Sequence, residues 1–183
     1  MIETIHEHKV DLLLLPEKAN ILDLGCRGFL FTKAMRDLGH HVLPVDIDEL
    51  YESQAYYQMA ISDHDGRCGV HHTNDPQATS MKEGDTIPCY TLDAFSRMVG
   101  VDRFDLIKMD IEGSEYQVIM SLKAAPAKQL SIEFHVHTGQ ITERMMREME
   151  NKLKNLGYEF TSHELTNQHG AGFNYWDSLF ILK

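Results

Sequence analysis

Short β-like runs alternate with amphipathic helical stretches along nearly the whole chain, which is the pattern of a mostly parallel sheet covered by helices on both faces. Asn20-Ile-Leu-Asp-Leu-Gly25 reads as a buried strand ending in glycine, and Phe29 to Leu38 as a helix with Gly39 at its C-terminal cap. His41 to Asp46 and Tyr57 to Ile61 are the next strands. A turn at Ser62 to Gly66 leads to a strand at Arg67 to Thr73, and the polar stretch His72 to Gly84 reads as a surface loop. Leu92 to Val99 is a helix and Phe104 to Met109 a strand, after which Ser114 and Gln117 have capping-box spacing for a new helix. Leu130 to Val136 alternates with period two, and Met145, Met149, Leu153 and Leu156 share one helix face that Gly157 ends. Phe160 to His163 and Ser178 to Leu182 supply the last strands. Residues 3–14 read as a helix stopped by Pro16, because the residue before proline avoids the helical region.

The expected fold class is therefore α/β, doubly wound, with one domain over residues 1–183 and residues 1–18 as an N-terminal helical extension. At 183 residues, with no repeat and no Pro/Gly/Ser linker, a second domain is not expected. A net charge of −11 argues against DNA or RNA as the main partner, since polyanion binding relies on Lys and Arg displacing phosphate counterions. No stretch approaches the ~20 apolar residues of a membrane span, and the acid- and histidine-bearing start is unlike a signal peptide. Cys26, Cys68 and Cys89 are an odd, widely spaced set, best read as reduced thiols, so the expected location is the cytoplasm.

In open α/β sheets, ligands sit beyond the carboxyl ends of the strands. The first strand ends in Asp23-Leu-Gly25-Cys-Arg27-Gly28, where Gly25 permits a tight turn and close ligand approach, and the following helix start offers N–H groups to a carboxylate. The second ends in Asp46, 23 residues beyond Asp23. That is close to the roughly 20-residue spacing at which an acid meets a nucleoside ribose. These two marks do not by themselves separate a nicotinamide cofactor from S-adenosylmethionine. The second glycine of the pyrophosphate fingerprint falls at Arg27, and this bulky side chain counts against NAD.

Three stretches carry a family resemblance: Ile21-Leu-Asp-Leu-Gly-Cys-Arg-Gly-Phe-Leu-Phe-Thr32, Thr91-Leu-Asp93 and, most specifically, Asp105-Leu-Ile-Lys-Met-Asp-Ile-Glu-Gly-Ser-Glu115. Ala60 to Asp63 with Gly66, Ser131 to His135 and Trp176 to Phe180 fit the same pattern, so the likeness runs from about Asn20 onward. The chain resembles the FkbM methyltransferases. The resemblance implies a seven-stranded class I methyltransferase sheet, S-adenosylmethionine as cofactor, and O-methylation of a sugar, glycan or small metabolite. It further implies that Asp23, Gly25, Arg27 and Gly28 border the methionine end of the cofactor. Asp46 would take the ribose, Ile61 and Ser62 would lie beside the adenine, and Asp110 and Glu112 would stand near the methyl. The chain departs from the family in having Phe29 where a glycine is frequent, with Gly28 displaced by one, and Asp46-Ile47 in place of Glu-Pro.

Methyl transfer to a hydroxyl requires alignment of the nucleophile and removal of its proton. Along Ser131 to His137, Glu133, His135 and His137 face away from Ile132, Phe134 and Val136. This polar stripe makes His135 the expected general base, with Asp110 or Glu133 orienting it or acting in its place. Asp110, Glu133 and His135 are equally the candidate ligands of a divalent metal. Lys108 either faces substrate or pairs with a carboxylate, and His40-His41 and His71-His72 are expected to be solvated. The acceptor should be gripped by Thr73 to Pro88 and His137 to Ile141. A binding module that keeps the nucleoside pocket without transfer, and a nicotinamide-dependent oxidoreductase, are the alternatives.

Overall fold

The computed structural model describes residues 1–49, 55–72, 79–135, 141–168 and 173–183. Seven strands form the main sheet: β3 (Asn20–Leu24), β4 (His41–Asp46), β5 (Tyr57–Gln58), β9 (Phe104–Met109), β10 (Ala127–Phe134), β11 (Tyr158–Gln168) and β12 (Phe173–Leu182). Their order is β11-β12-β10-β9-β3-β4-β5. The four pairings from β10 to β5 are parallel, and β12 enters antiparallel between β10 and β11. The chain winds outward from β3 to β5 and then returns to lay β9 against β3 on its other side. Strand order reverses there, so a crevice opens beyond the carboxyl ends of these two strands.

The pleat sorts the apolar residues. Leu22, Leu24, Ile107 and Met109 face a core built with α2 (Leu92–Val99), α3 (Glu115–Ser121) and α4 (Glu143–Asn155). Ile21 and Leu106 face the opposite core with Phe31 and Met35 of α1 (Leu30–Asp37) and Val10. The doubly wound reading therefore holds, with α1 alone among the described α-helices on one side. Among the described residues, no helix is long and apolar enough to cross a membrane.

The expected helix over residues 3–14 is a β-hairpin. β1 (Ile2–Ile5) and β2 (His8–Asp11) pair antiparallel through the turn residues His6 and Glu7, at φ 44 and 72. Such a turn ordinarily announces itself by Asn-Gly or Gly-Gly, and this chain has neither, so the turn was not legible. Tertiary contact decides the segment: Gln129 donates from Nε2 to the Asp11 carbonyl (3.0 Å) and accepts from the Asp11 N–H (2.9 Å), clamping β2 to β10.

The expected third strand, Tyr57 to Ile61, splits at Met59. β5 joins the main sheet, whereas β6 (Ala60–Ile61) pairs with β8 (Thr79–Tyr90) in a separate three-stranded sheet completed by β7 (Gly66–His72). The loop expected over His72 to Gly84 is thus partly strand from Thr79 onward, because β7 offers it a partner; residues 73–78 lie outside the described residues. The capping box expected at Ser114 and Gln117 does not form: Ser114 makes no side-chain cap bond. Glu112 and Gly113 take left-handed conformations (φ 53 and 95), and the Glu115 carboxylate accepts the Ile111 and Gly113 N–H groups instead.

Candidate active site

The carboxyl ends of β3, β4 and β9 open into one cavity of about 590 Å³, within the ~300–1,000 Å³ usual for small-molecule sites. The turn after β3 contributes Gly25, Arg27 and Gly28, β4 contributes Asp46, and β6 contributes Ile61. Lys108, Asp110 and Glu112 come from the end of β9 and the turn beyond it, and Glu133 and His135 from the end of β10.

Two predicted residues lie elsewhere. Asp23 has no exposed surface and sits outside the cavity lining, accepting Thr32 Oγ1 at 2.5 Å and facing Lys108 Nζ at 3.3 Å. It braces the floor rather than meeting a ligand. Ser62 is also buried outside the lining, its N–H donating to the Tyr90 carbonyl (2.8 Å) and its Oγ to Asp63 (3.1 Å). His137 and residues 136–140 lie outside the described residues, so the polar stripe is described only as far as His135.

Lys108 is the clamp of the site. Its buried ammonium donates to the Gly25 carbonyl (2.6 Å) and the Leu24 carbonyl (3.2 Å), and lies 3.2 Å from Asp110 Oδ2. Burial alone would favour the neutral amine, but Asp110 and Asp23 outweigh it and hold the group protonated above its ordinary value. The undecided role of Lys108 resolves to pairing with carboxylates.

Asp46 is buried at its strand end, with Oδ1 accepting the Asp48 N–H at 3.0 Å. Burial pushes its carboxyl up to about 6, against the lowering effect of that hydrogen bond.

His135, 1% exposed, sits among four carboxylates. Nδ1 lies 2.9 Å from Glu115, and Nε2 lies 3.4, 3.5 and 3.6 Å from Asp110, Glu112 and Glu133. Burial disfavours its charged form, yet Glu115, Asp110 and Glu112 reverse this and push it up to about 10. Burial and the charge of Asp110 push Glu133 up to about 9. Asp110 goes the other way: burial opposes its ionisation, but Lys108, His8 and His135 hold it well below the usual carboxylate range.

These shifts favour protonated Lys108, His135 and Glu133 beside an ionised Asp110 at neutral pH. A protonated imidazole has no lone pair with which to take a proton, which weighs against the base role expected of His135. The same groups include the expected metal ligands. Ligand atoms of Asp110, Glu112 and His135, and of His8, Asp110 and Glu133, come within 4.8 Å of one another. In both sets Asp110 is already paired with the Lys108 ammonium, at 3.2 Å.

Glu115 and His8 were missed by sequence reasoning. Glu115 was legible only as the last acid of the K-x-D-x-E-G-x-E stretch, and nothing in the sequence marks His8 as part of the site.

The protonation states have a measurable consequence. Unfolded Glu and His release protons near ~4.3 and ~6.5, whereas the folded groups retain theirs to about 9 and about 10. Between those limits the folded state binds more protons than the unfolded one, so stability falls as pH rises. Thermal melts should show Tm dropping from about pH 6.5 to about pH 9, and Glu133→Gln should flatten the slope. A Tm that climbs across this window would contradict the assignment.

The profile of the methyltransferase FkbM domain matches residues 25–160. No curated protein sequence matches the chain. Among solved structures, a TehB-like SAM-dependent methyltransferase from Corynebacterium glutamicum superposes with TM-score 0.51 at 17% identity, over 93% of this chain and 84% of that one. The 1,6-didemethyltoxoflavin-N1-methyltransferase of Burkholderia thailandensis, solved with that compound and S-adenosylhomocysteine, gives TM-score 0.52 at 14% identity over 91% and 72%. A Methanococcus jannaschii fibrillarin pre-rRNA processing protein gives 0.53 at 13% over 96% and 70%. At such identities these likenesses establish the fold, and the domain match, which spans most of the chain, establishes the family. A sheet whose order reverses between β3 and β9, with strand-end acids converging on a single cavity, is what that family's pattern demands: the chain belongs to the FkbM family of S-adenosylmethionine-dependent methyltransferases.

Proposed function

We propose that the protein, acting as one domain over residues 1–183, transfers the methyl group of S-adenosylmethionine to a hydroxyl of a sugar, glycan or small metabolite. The observation that carries this reading is the convergence of Gly25, Asp46 and Asp110, from three adjacent parallel strand ends, on one cavity of small-molecule size. In it, Asp46 accepts hydrogen bonds from the ribose hydroxyls. The turn holding Gly25, Arg27 and Gly28 receives the methionine end, and Ile61 packs beside the adenine. Asp110 and Glu112 stand by the methyl, where a carboxylate held ionised favours the sulfonium. The bound S-adenosylhomocysteine of the Burkholderia methyltransferase is in keeping with this cofactor.

The acceptor hydroxyl attacks the methyl carbon in line with the departing sulfur, so the protein's work is alignment and proton removal. A cavity ringed by acids, Asp110 among them held ionised, does not suit an anionic acceptor.

Calorimetry should detect S-adenosylhomocysteine, and Asp46→Ala should weaken it by about 100-fold, the scale of two charge-assisted hydrogen bonds lost. Wild-type affinity should also fall as pH drops through about 6, where Asp46 becomes protonated and stops accepting both bonds. Absence of binding at millimolar ligand removes the reading. Incubation with methyl-labelled S-adenosylmethionine and a panel of hydroxylated acceptors then identifies the substrate class.

A further inference from the structure

The N-terminal hairpin, which lies outside the matched segment 25–160, brings a second imidazole to the cavity. Resting on the methyl transfer proposed above, we infer that His8 is a positioning residue, whose Nε2–H is aimed at Asp110 and fixes the carboxylate that stands by the methyl.

The hairpin is held as a wall of the site. Gln129 clamps its second strand, Val10 is fully buried, and the rings of His8 and Phe31 meet at 85° with centroids 5.7 Å apart. His8 itself is 3% exposed and still lines the cavity.

Two observations select the same tautomer of His8. Nδ1 is closed off from solvent and has no hydrogen-bond partner among the described residues, so an N–H there would be a buried donor without an acceptor. Nε2 lies 3.7 Å from Asp110 Oδ2, and a lone pair turned toward that carboxylate would be repelled by it. The proton therefore belongs on Nε2. At this separation the contact is longer than a hydrogen bond; it is the attraction of an N–H dipole for a carboxylate, little screened in so buried a place. An aliphatic side chain could pack against Phe31 and Val10 without leaving a buried nitrogen unpaired. Packing alone does not account for an imidazole here.

Asp110 has something to be held against. Its backbone is pinned, the N–H donating to the Leu24 carbonyl (3.2 Å), but its carboxylate is partly open to the cavity. Lys108 Nζ meets Oδ2 at 3.2 Å from the floor, and His135 Nε2 lies 3.4 Å from Oδ1 at the end of β10. An ammonium is a point charge that sets a distance without setting a plane. His8 adds a third contact from a third element, on the hairpin side of Oδ2. Burial works against the charge on Asp110, and Lys108, His8 and His135 together overcome it. The carboxylate so fixed presents its charge to a sulfonium, which S-adenosylmethionine has and S-adenosylhomocysteine lacks.

The test uses the full chain, these two ligands and three variants. In His8→Gln the side-chain amide nitrogen reaches the place of Nε2; in His8→Asn it stops at the place of Nδ1; His8→Leu fills the space without a donor. Calorimetry gives the ratio of S-adenosylmethionine to S-adenosylhomocysteine affinity, and thermal melts confirm that each protein is folded. His8→Gln should keep the wild-type ratio within about twofold, whereas His8→Asn and His8→Leu should lower it about fivefold, the scale of one net hydrogen bond. A merely structural role would instead follow packing, with both ligands weakened alike. The ¹⁵N NMR pattern of the His8 ring in wild type should show the proton on Nε2. A wild-type ratio in His8→Leu or His8→Asn, loss in His8→Gln equal to theirs, or a ring protonated at Nδ1 would overturn the role of His8 while leaving the methyltransferase reading intact. Failure of the wild type to bind either ligand would remove that reading, and the positioning role with it.

Discussion

Replacing Lys108 with methionine should cost about 3–5 kcal/mol of stability, the usual consequence of removing one partner from a buried ion pair. Methionine matches the length of the stem and keeps its packing, so the change isolates the ammonium. Without it, Asp23, fully buried, and Asp110 face each other across the cavity floor with no cation between them, and the carbonyls of Leu24 and Gly25 lose their donor. In a chain of this size the loss corresponds to a fall in Tm of roughly 10 °C. Asp23→Asn in the same background should recover a large part of it by removing one orphaned charge, and the double-mutant cycle should show coupling of more than about 1 kcal/mol. Urea melts of the four proteins check this. A single loss below about 1 kcal/mol, or strict additivity with Asp23→Asn, would mean that Lys108 is not the clamp described here.

The second large effect is expected at Gly25. Its φ is +76, and a β-carbon there would lie 1.7 Å from the Asp110 carbonyl oxygen. Two backbones meet at this point: Asp110 donates its N–H to the Leu24 carbonyl (3.2 Å), and Gly25 donates its own to the Val45 carbonyl (2.9 Å). The obstacle is main chain rather than the end of a flexible side chain, so Gly25→Ala can be accommodated only by parting β3 from β9 at their carboxyl ends. Strain in the left-handed region adds to the overlap. We expect a loss of about 3 kcal/mol or more and S-adenosylhomocysteine binding weakened beyond detection even in protein that remains folded. Gly28→Ala is the control: Gly28 has φ +69 but nothing within 4 Å of the added carbon, so it should show strain alone, about 1 kcal/mol. Equal effects at the two glycines would show that strain, and not the crossing of backbones, makes Gly25 necessary.

The parallel core of this fold was legible because buried strands and amphipathic helices carry their own periodicities. Leu22 and Leu24 against Ile21, and Met149 and Leu153 against the polar face of α4, declare their faces whatever surrounds them. Asp46 and Asp110 were legible for a related reason, each being an acid that ends an apolar run. The edges were less readable. Tyr57 to Ile61 looks like one strand, and only the presence of β8 divides it between two sheets. The hairpin at residues 2–11 has a turn of two left-handed residues with side chains, His6 and Glu7, which local preference disfavours and the surface of β10 and β12 enforces.

By itself, the sequence determined the strand-helix alternation, the reversal-point chemistry of its strand ends and membership of the family, because each of these is written in a contiguous stretch of chain. Tertiary structure alone decided which of those residues touch the cavity and in what state of charge. Asp23 went beneath the floor, His135 came to lie among four carboxylates, and His8 arrived from a segment far away in sequence. The physical reason is that a proton's affinity for a side chain depends on burial and on charges a few ångströms away, and neither quantity exists until distant strands have been brought side by side.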